Sequence, residues 1–288
     1  TSGVHSYRIP VMLAVPVPGQ STARLLAFAE ARILSASDDG PKHLSLRTSD
    51  DGGVQWSPIR NLVTDSPIEP GVDGLNLGSA TYDAKRGVIH VHYLTAGHSL
   101  PVARAWTMTS KDFGATWSTP RNITSTFVNA GIHLFAPGPG TGVQLGSGRL
   151  AVSGWYRDAS GVLGSLVLYS DDGGTWVVGG RLPANSTGDL PYQPNECQVA
   201  ALPNNVLVIN ARDGAGDGCR CRLVATSTDG GESFGAVEQV TALPDPICQG
   251  SMIAANPKTL LLSNADSSVA RENGTFHVSF GEFVGEGP

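Results

Sequence analysis

The chain has 288 residues, 40% hydrophobic and 15% charged, the composition of an ordinary globular protein. Nineteen Lys and Arg against 25 Asp and Glu leave a net charge of −6, with no basic run, which argues against a nucleic-acid partner. No apolar stretch approaches the ~18 residues of a membrane span, and Thr1 opens no signal peptide, so any targeting segment is taken to be removed or left out.

In chain order, Tyr7-Arg8-Ile9-Pro10 opens the first strand pattern. Phe28-Ala29-Glu30-Ala31-Arg32 continues it and leads into a small polar loop, Ser35-Ala36-Ser37-Asp38-Asp39-Gly40. His43-Leu44-Ser45-Leu46-Arg47 alternates as a strand does. So does Ile89-His90-Val91-His92-Tyr93, with Ile89, Val91 and Tyr93 on one face and the histidines on the other. Asn195-Glu196-Cys197-Gln198 and Ile209-Asn210-Ala211-Arg212 sit at the edges of apolar runs. Val206-Leu207-Val208-Ile209 is continuously apolar, as expected of a strand buried on both faces. Arg271 lies beyond the apolar strand Leu260-Leu261-Leu262. No 3.6-residue apolar stripe of helical length occurs, and 36 Gly and 19 Pro punctuate the chain. The class is all-β.

Four turn motifs of pattern S-x-D-x-G-x-[TSQ]-[WF] begin at Ser49, Ser110, Ser170 and Ser227, the third one residue short. Their steps of 61, 60 and 57 residues define a repeat. An Asp side chain accepts backbone N–H groups just ahead of it, Gly supplies positive φ, and the closing Trp or Phe plugs the neighbouring strands. Repeats of about sixty residues with several short strands fit the blades of a β-propeller, because one blade cannot bury both its faces alone.

Cys197, Cys219, Cys221 and Cys248 allow three disulfide connectivities; four thiolates on zinc, at spacings of 22, 2 and 27, and free buried thiols are the alternatives. Three N-glycosylation sequons, at Asn122, Asn185 and Asn273, favour a secretory route.

As an ordered set these stretches resemble the sialidase (neuraminidase) family. The four turns look like its Asp-boxes, and Tyr7-Arg8-Ile9-Pro10 looks like its RIP signature. Supporting stretches are Leu26 to Arg32, Asp73-Gly74-Leu75-Asn76-Leu77-Gly78, Phe135 to Gly140, Asn210-Ala211-Arg212 and Cys219-Arg220-Cys221-Arg222. The likeness runs from Ser6 to about Phe280 and is nearest to the family's animal lysosomal branch.

The resemblance implies a six-bladed β-propeller, about five blades of which this chain covers. Residues 1–288 would then be a single catalytic domain truncated at its C-terminus. It implies an exo-α-sialidase, a retaining glycoside hydrolase removing terminal α-linked sialic acids from glycoproteins, oligosaccharides and gangliosides. Sialylated glycoconjugates would be its partners and the lysosome or cell exterior its location. Arg8, Arg212 and Arg271 would clamp the sugar carboxylate, which a planar, always-charged guanidinium recognises by shape and charge. Arg32 would border the same pocket and orient neighbouring carboxylates. Asp38, chosen over Asp39 because the family has an acidic residue after its catalytic Asp, would be the acid/base. Glu196 would draw the proton from a tyrosine nucleophile, and Asn76 and Tyr156 would contact the sugar's hydroxyl or acyl groups. A neutral phenol escapes the repulsion that a carboxylate nucleophile would meet from the substrate's own carboxylate. The family's tyrosine lies downstream of the third arginine, where this sequence has none. No residue set calls for a metal or another cofactor. The alternatives are a sialic-acid-binding propeller without turnover and a trans-sialidase, which shares these residues.

Overall fold

The computed structural model describes residues 3–65, 74–95, 101–187, 191–216 and 218–280. Its backbone divides into two compact units: residues 1–129 with 133–141, and residues 130–132 with 142–288.

The first unit holds two sheets. Strands β1 (Ser6–Val15), β2 (Arg24–Arg32), β3 (Lys42–Ser49) and β4 (Arg60–Thr64) form one antiparallel meander. Strands β5 (Leu75–Asp83), β6 (Val88–Thr95), β7 (Arg104–Ser110) and β8 (Arg121–Asn122) form the other. A short helix, α1 (Thr124–Val128), and β9 (Ile132–Pro137) follow, and β10 (Gly140–Thr141) adds to β5 in parallel. Val11, Leu26, Phe28, Leu44 and Leu46 pack with Leu75, Leu77, Val91 and Tyr93 into one core. Each such buried side chain contributes about 1.5–3 kcal/mol.

The second unit holds three sheets. They are β11 (Val143–Gln144), β12 (Leu150–Asp158), β13 (Leu163–Ser170) and β14 (Val177–Pro183); β15 (Pro194–Ala201), β16 (Leu207–Asp213), β17 (Cys221–Ser227) and β18 (Glu238–Pro244); and β19 (Ser251–Asn256), β20 (Thr259–Ala265) and β21 (Gly274–Phe280). Sequential antiparallel meanders are the blade topology of a β-propeller. Cys197, Val199, Ile209 and Leu223 centre one cluster of the unit, and Val208, Met252, Leu260 and Leu262 another.

The predicted strands fall inside β3, β6, β16 and β20, with Val206 immediately before β16. His90 and His92 share a face as expected, yet they are 2% and 1% exposed. The alternation along β6 is therefore one of chemistry, with both faces buried.

The four turns join the third and fourth strands of their sheets. Ser49 Oγ accepts the Gly53 amide at 2.9 Å and Asp51 Oδ1 accepts the Gln55 amide at 2.9 Å. Ser110 and Asp112, and Ser227 and Asp229, repeat both bonds four residues ahead. The short third copy makes them three ahead, from Gly173 to Ser170 and from Thr175 to Asp172. Hydrogen bonds led by Thr116 hold the Asp112 carboxyl down at about 2.

Candidate active site

In the first unit, a bulge aims the first arginine. Arg8 pairs with Glu30 and Val11 with Phe28, so Ile9 and Pro10 together face Ala29. Two residues opposite one bend a strand and redirect its side chains. Ile9 sits at φ 54°, a left-handed conformation that costs a β-branched residue about 1–3 kcal/mol. Arg8 emerges exposed, its Nη1 donating to the Ala36 carbonyl at 3.2 Å.

Arg32 donates to the same carbonyl at 2.6 Å. It is 2% exposed, and its Nε and Nη2 both donate to Glu30 Oε2, at 3.0 and 2.8 Å. Nη2 also pairs with Asp38 Oδ1 at 2.7 Å, and Asp38 is 71% exposed. One buried guanidinium therefore spans a buried carboxylate and an open one. Burial pushes the Glu30 carboxyl up, against the opposing pull of Arg32 and Lys42. Glu30 Oε1 accepts the Leu77 amide at 2.9 Å, which ties β5 to this group. Asn76, the preceding residue, is half-buried and its Nδ2 donates to the Gly74 carbonyl at 3.3 Å. Gly78 makes a second bulge here, and a Cβ on it would lie 2.7 Å from the His92 carbonyl oxygen. Asp39 points its amide to Ser37 Oγ at 3.3 Å. Asp73, part of the motif around Asn76, lies outside the described residues.

The second unit repeats the device. Pro194 pairs with Asp213 and Cys197 with Ala211, so Asn195 and Glu196 both face Arg212. The bulge brings Glu196 Oε2 onto Arg212 Nη1 in an ion pair, both side chains about one-fifth exposed (21% and 22%). Asn195 Oδ1 fixes the Glu196 amide at 2.8 Å. Arg212 Nε is buried with no hydrogen-bond partner among the described residues. Asp213, next along β16, accepts the Gln193 and Ala215 amides at 2.9 and 3.0 Å. Arg271 is exposed in the β20–β21 loop, its Nη2 donating to the Ile247 carbonyl at 2.9 Å.

Arg8, Arg32 and Asp38 are thus gathered around Ala36, Asn76 is linked to them through Leu77 and Glu30, and Glu196 is paired with Arg212. Tyr156 makes none of these contacts. On β12 it is 2% exposed, with the Arg181 guanidinium 5.9 Å from its ring centroid, and burial raises its phenol. Sequence reasoning assigned no role to Glu30, Arg222 or Asp245, all fully buried charges beside the assigned residues. Their signal was present as Glu30 and Arg32 on one face of a strand, and as the second arginine of Cys219-Arg220-Cys221-Arg222. Cys219 and Cys221 form a disulfide, while Cys197 and Cys248 are free thiols.

Residues 23–279 match the model of the BNR repeat-like domain family. Human Sialidase-4 is 35% identical over 86% of this chain and 54% of its own length. The sialidase of Micromonospora viridifaciens is 32% identical over 96% of this chain and 44% of its own. Among solved structures, a Hadza microbial sialidase superposes with a TM-score of 0.83 at 26% identity, over 98% of this chain and 58% of its own. The chain spans about half the length of these curated relatives.

Proposed function

The chain belongs to the sialidase family through its BNR repeat-like domain, and from that premise we propose that the protein is a retaining exo-α-sialidase acting on sialylated glycoproteins, oligosaccharides or gangliosides. The observation that carries the proposal is the pairing of each assigned acid with an assigned arginine: Asp38 with Arg32 and Glu196 with Arg212. Chance surface carboxylates would not both fall opposite arginines that the motifs single out.

The roles are those the family resemblance implies, and exposure and charge support them. Asp38 is the open carboxyl, so it is the group that delivers a proton to the departing glycosidic oxygen and later takes one from water. Arg32 holds it in place while Glu30 supports Arg32 from below. The resemblance assigns Arg8, Arg212 and Arg271 to the sugar carboxylate, and each guanidinium, within its own unit, already leans on a main-chain or carboxylate oxygen. Glu196 takes the proton of a phenol nucleophile, and these preorganised charges meet the oxocarbenium-like transition state. Asn76 borders the same group and contacts the sugar's polar substituents. A secretory or lysosomal location is supported by the Cys219–Cys221 disulfide and by exposed sequon residues Asn122 and Asn273.

Turnover of sialyllactose tests the assignment. Asp38→Ala in the full polypeptide is expected to lower kcat about a hundredfold or more, whereas Asp39→Ala leaves it nearly unchanged. Equal turnover in wild type and Asp38→Ala removes Asp38 from the mechanism.

A further inference from the structure

A guanidinium that the proposed chemistry does not use underlies both Arg212 and Arg271. Arg222, on β17, has no exposed side-chain surface, a state that arginine tolerates only when paired. Its Nε donates to Asn210 Oδ1 at 2.7 Å. Its Nη1 donates to Asp245 Oδ2 at 3.1 Å and to the Cys248 carbonyl at 2.6 Å. Asp245 is equally enclosed, at 1%. Its Oδ2 also accepts the Asp213 amide at 3.2 Å, and its Oδ1 accepts the Cys248 amide at 2.8 Å.

These bonds reach both site arginines. Arg222 holds the side chain of Asn210 and Asp245 holds the main chain of Asp213, so Arg212 is bracketed from both sides on β16. Together the pair also grips both polar groups of the Cys248 peptide segment, one by its amide and one by its carbonyl. Ile247, just before, offers its carbonyl to Arg271. Ile247 has φ 58°, a left-handed conformation that a β-branched residue keeps only under constraint. The bonds to Cys248 supply that constraint.

We propose that Arg222 and Asp245 form one buried hub that positions Arg212 and Arg271 together for a carboxylate ligand. The inference rests on reading those two arginines as carboxylate binders. A buried ion pair is a weak stabiliser, because loss of hydration offsets much of the attraction. What Arg222 adds is a planar fork whose donors reach three fixed acceptors, which sets one geometry for the two segments they belong to. Neither hub residue need touch the sugar, so both are positioning residues.

Calorimetric binding of free sialic acid and of its methyl ester provides the test, since the affinity ratio isolates the carboxylate contribution. Arg222→Lys keeps the charge and loses the fork. It is expected to lower the ratio about tenfold, with ester affinity changed less than about twofold. Combined with Arg212→Ala it should lower the ratio by less than the product of the two single effects, because the hub acts through Arg212. Asp245→Asn keeps the volume and the Oδ1 acceptor; it carries the same expectation and serves if Arg222→Lys does not fold. A folded hub variant with the wild-type ratio overturns the proposal, as does a parallel loss of acid and ester binding. Arg212→Ala and Arg271→Ala variants that both keep the wild-type ratio overturn the carboxylate reading instead, so the two failures are distinguishable.

Discussion

Pairing, not burial, distinguishes the residues of this candidate site. Asp38 and Asp39 are neighbours with the same side chain, and only Asp38 rests on Arg32. Glu30 is the residue that makes this possible. Its carboxylate takes two N–H groups of Arg32 and one of Leu77, and burial raises its pKa in spite of them. The pair therefore specifies position more than it stabilises, but removing one partner strands the other in a dry site. Glu30→Ala is expected to cost about 3–5 kcal/mol in urea unfolding; a loss below about 1 kcal/mol would show that Arg32 finds water or another acceptor. Arg8, Arg32, Asp38, Glu196, Arg212 and Arg271 stand out in the sequence as candidates because motifs carry them. Glu30, Arg222 and Asp245 were assigned no role, because a charged residue, within a strand as Glu30 and Arg222 are or just after one as Asp245 is, reads as a surface residue until its partner is known. Arg222 finds its partner 23 positions away.

Elements place these residues by departing from regular pairing. The bulges at Ile9-Pro10 and Asn195-Glu196 each put a candidate site residue beside or within the irregularity. Neither bulge could be read from sequence, since the extra residue is defined only by the partner strand. The Asp of each turn was legible from its residue type, whereas the serine hydroxyl that accepts a glycine amide was not. What the motif does not show is how the turns are tied together. Arg149 takes Asp171 with both Nε and Nη2, at 2.7 and 2.9 Å, and reaches Glu232 at 2.9 Å beside the fourth turn. Its guanidinium also lies 4.1 Å from the centroid of the Tyr169 ring. Arg24 takes Asp50 in the same two-pronged manner in the first unit. Asp171 and Glu232 are more than half exposed, so the network is screened. Arg149→Ala is expected to lower stability by about 1–2 kcal/mol, the sum of a two-pronged pair and a cation–π contact. The loss should shrink in 1 M salt; a deficit independent of salt would assign it to packing.

At the scale of the molecule, two kinds of ionisable group set opposite demands on pH. The proposed chemistry has a carboxylic acid donate a proton to the leaving group, which favours acid. The fold carries His90 and His92 enclosed on β6, where burial holds them down at about 4 and about 3. Asp83 opposes the shift at His90, while Arg86 and Arg121 add to it, and His90 and Arg121 add to it at His92. Above about pH 6.5 both are neutral whether folded or not, and they cost nothing. Below it the unfolded chain takes up their protons and the native state does not. Stability therefore falls with pH from about 6.5 until the folded pKa values are reached, by up to about 1.4 kcal/mol per unit for each histidine. Asp112 has the same sign over a lower range: its depressed pKa lends stability above the usual carboxylate value, lost only as pH falls from about 4 towards 2. The turns thus stay intact through the range in which the histidines act. Urea midpoints should drop steadily from pH 7 to pH 5, and His90→Gln with His92→Gln should flatten that slope even if it lowers the midpoint at pH 7. The slope belongs to other groups if the double variant retains it. A rate profile peaking below pH 7 over the same interval would mean that the protein works where its fold is weakening, with substrate held in the site the natural source of compensation.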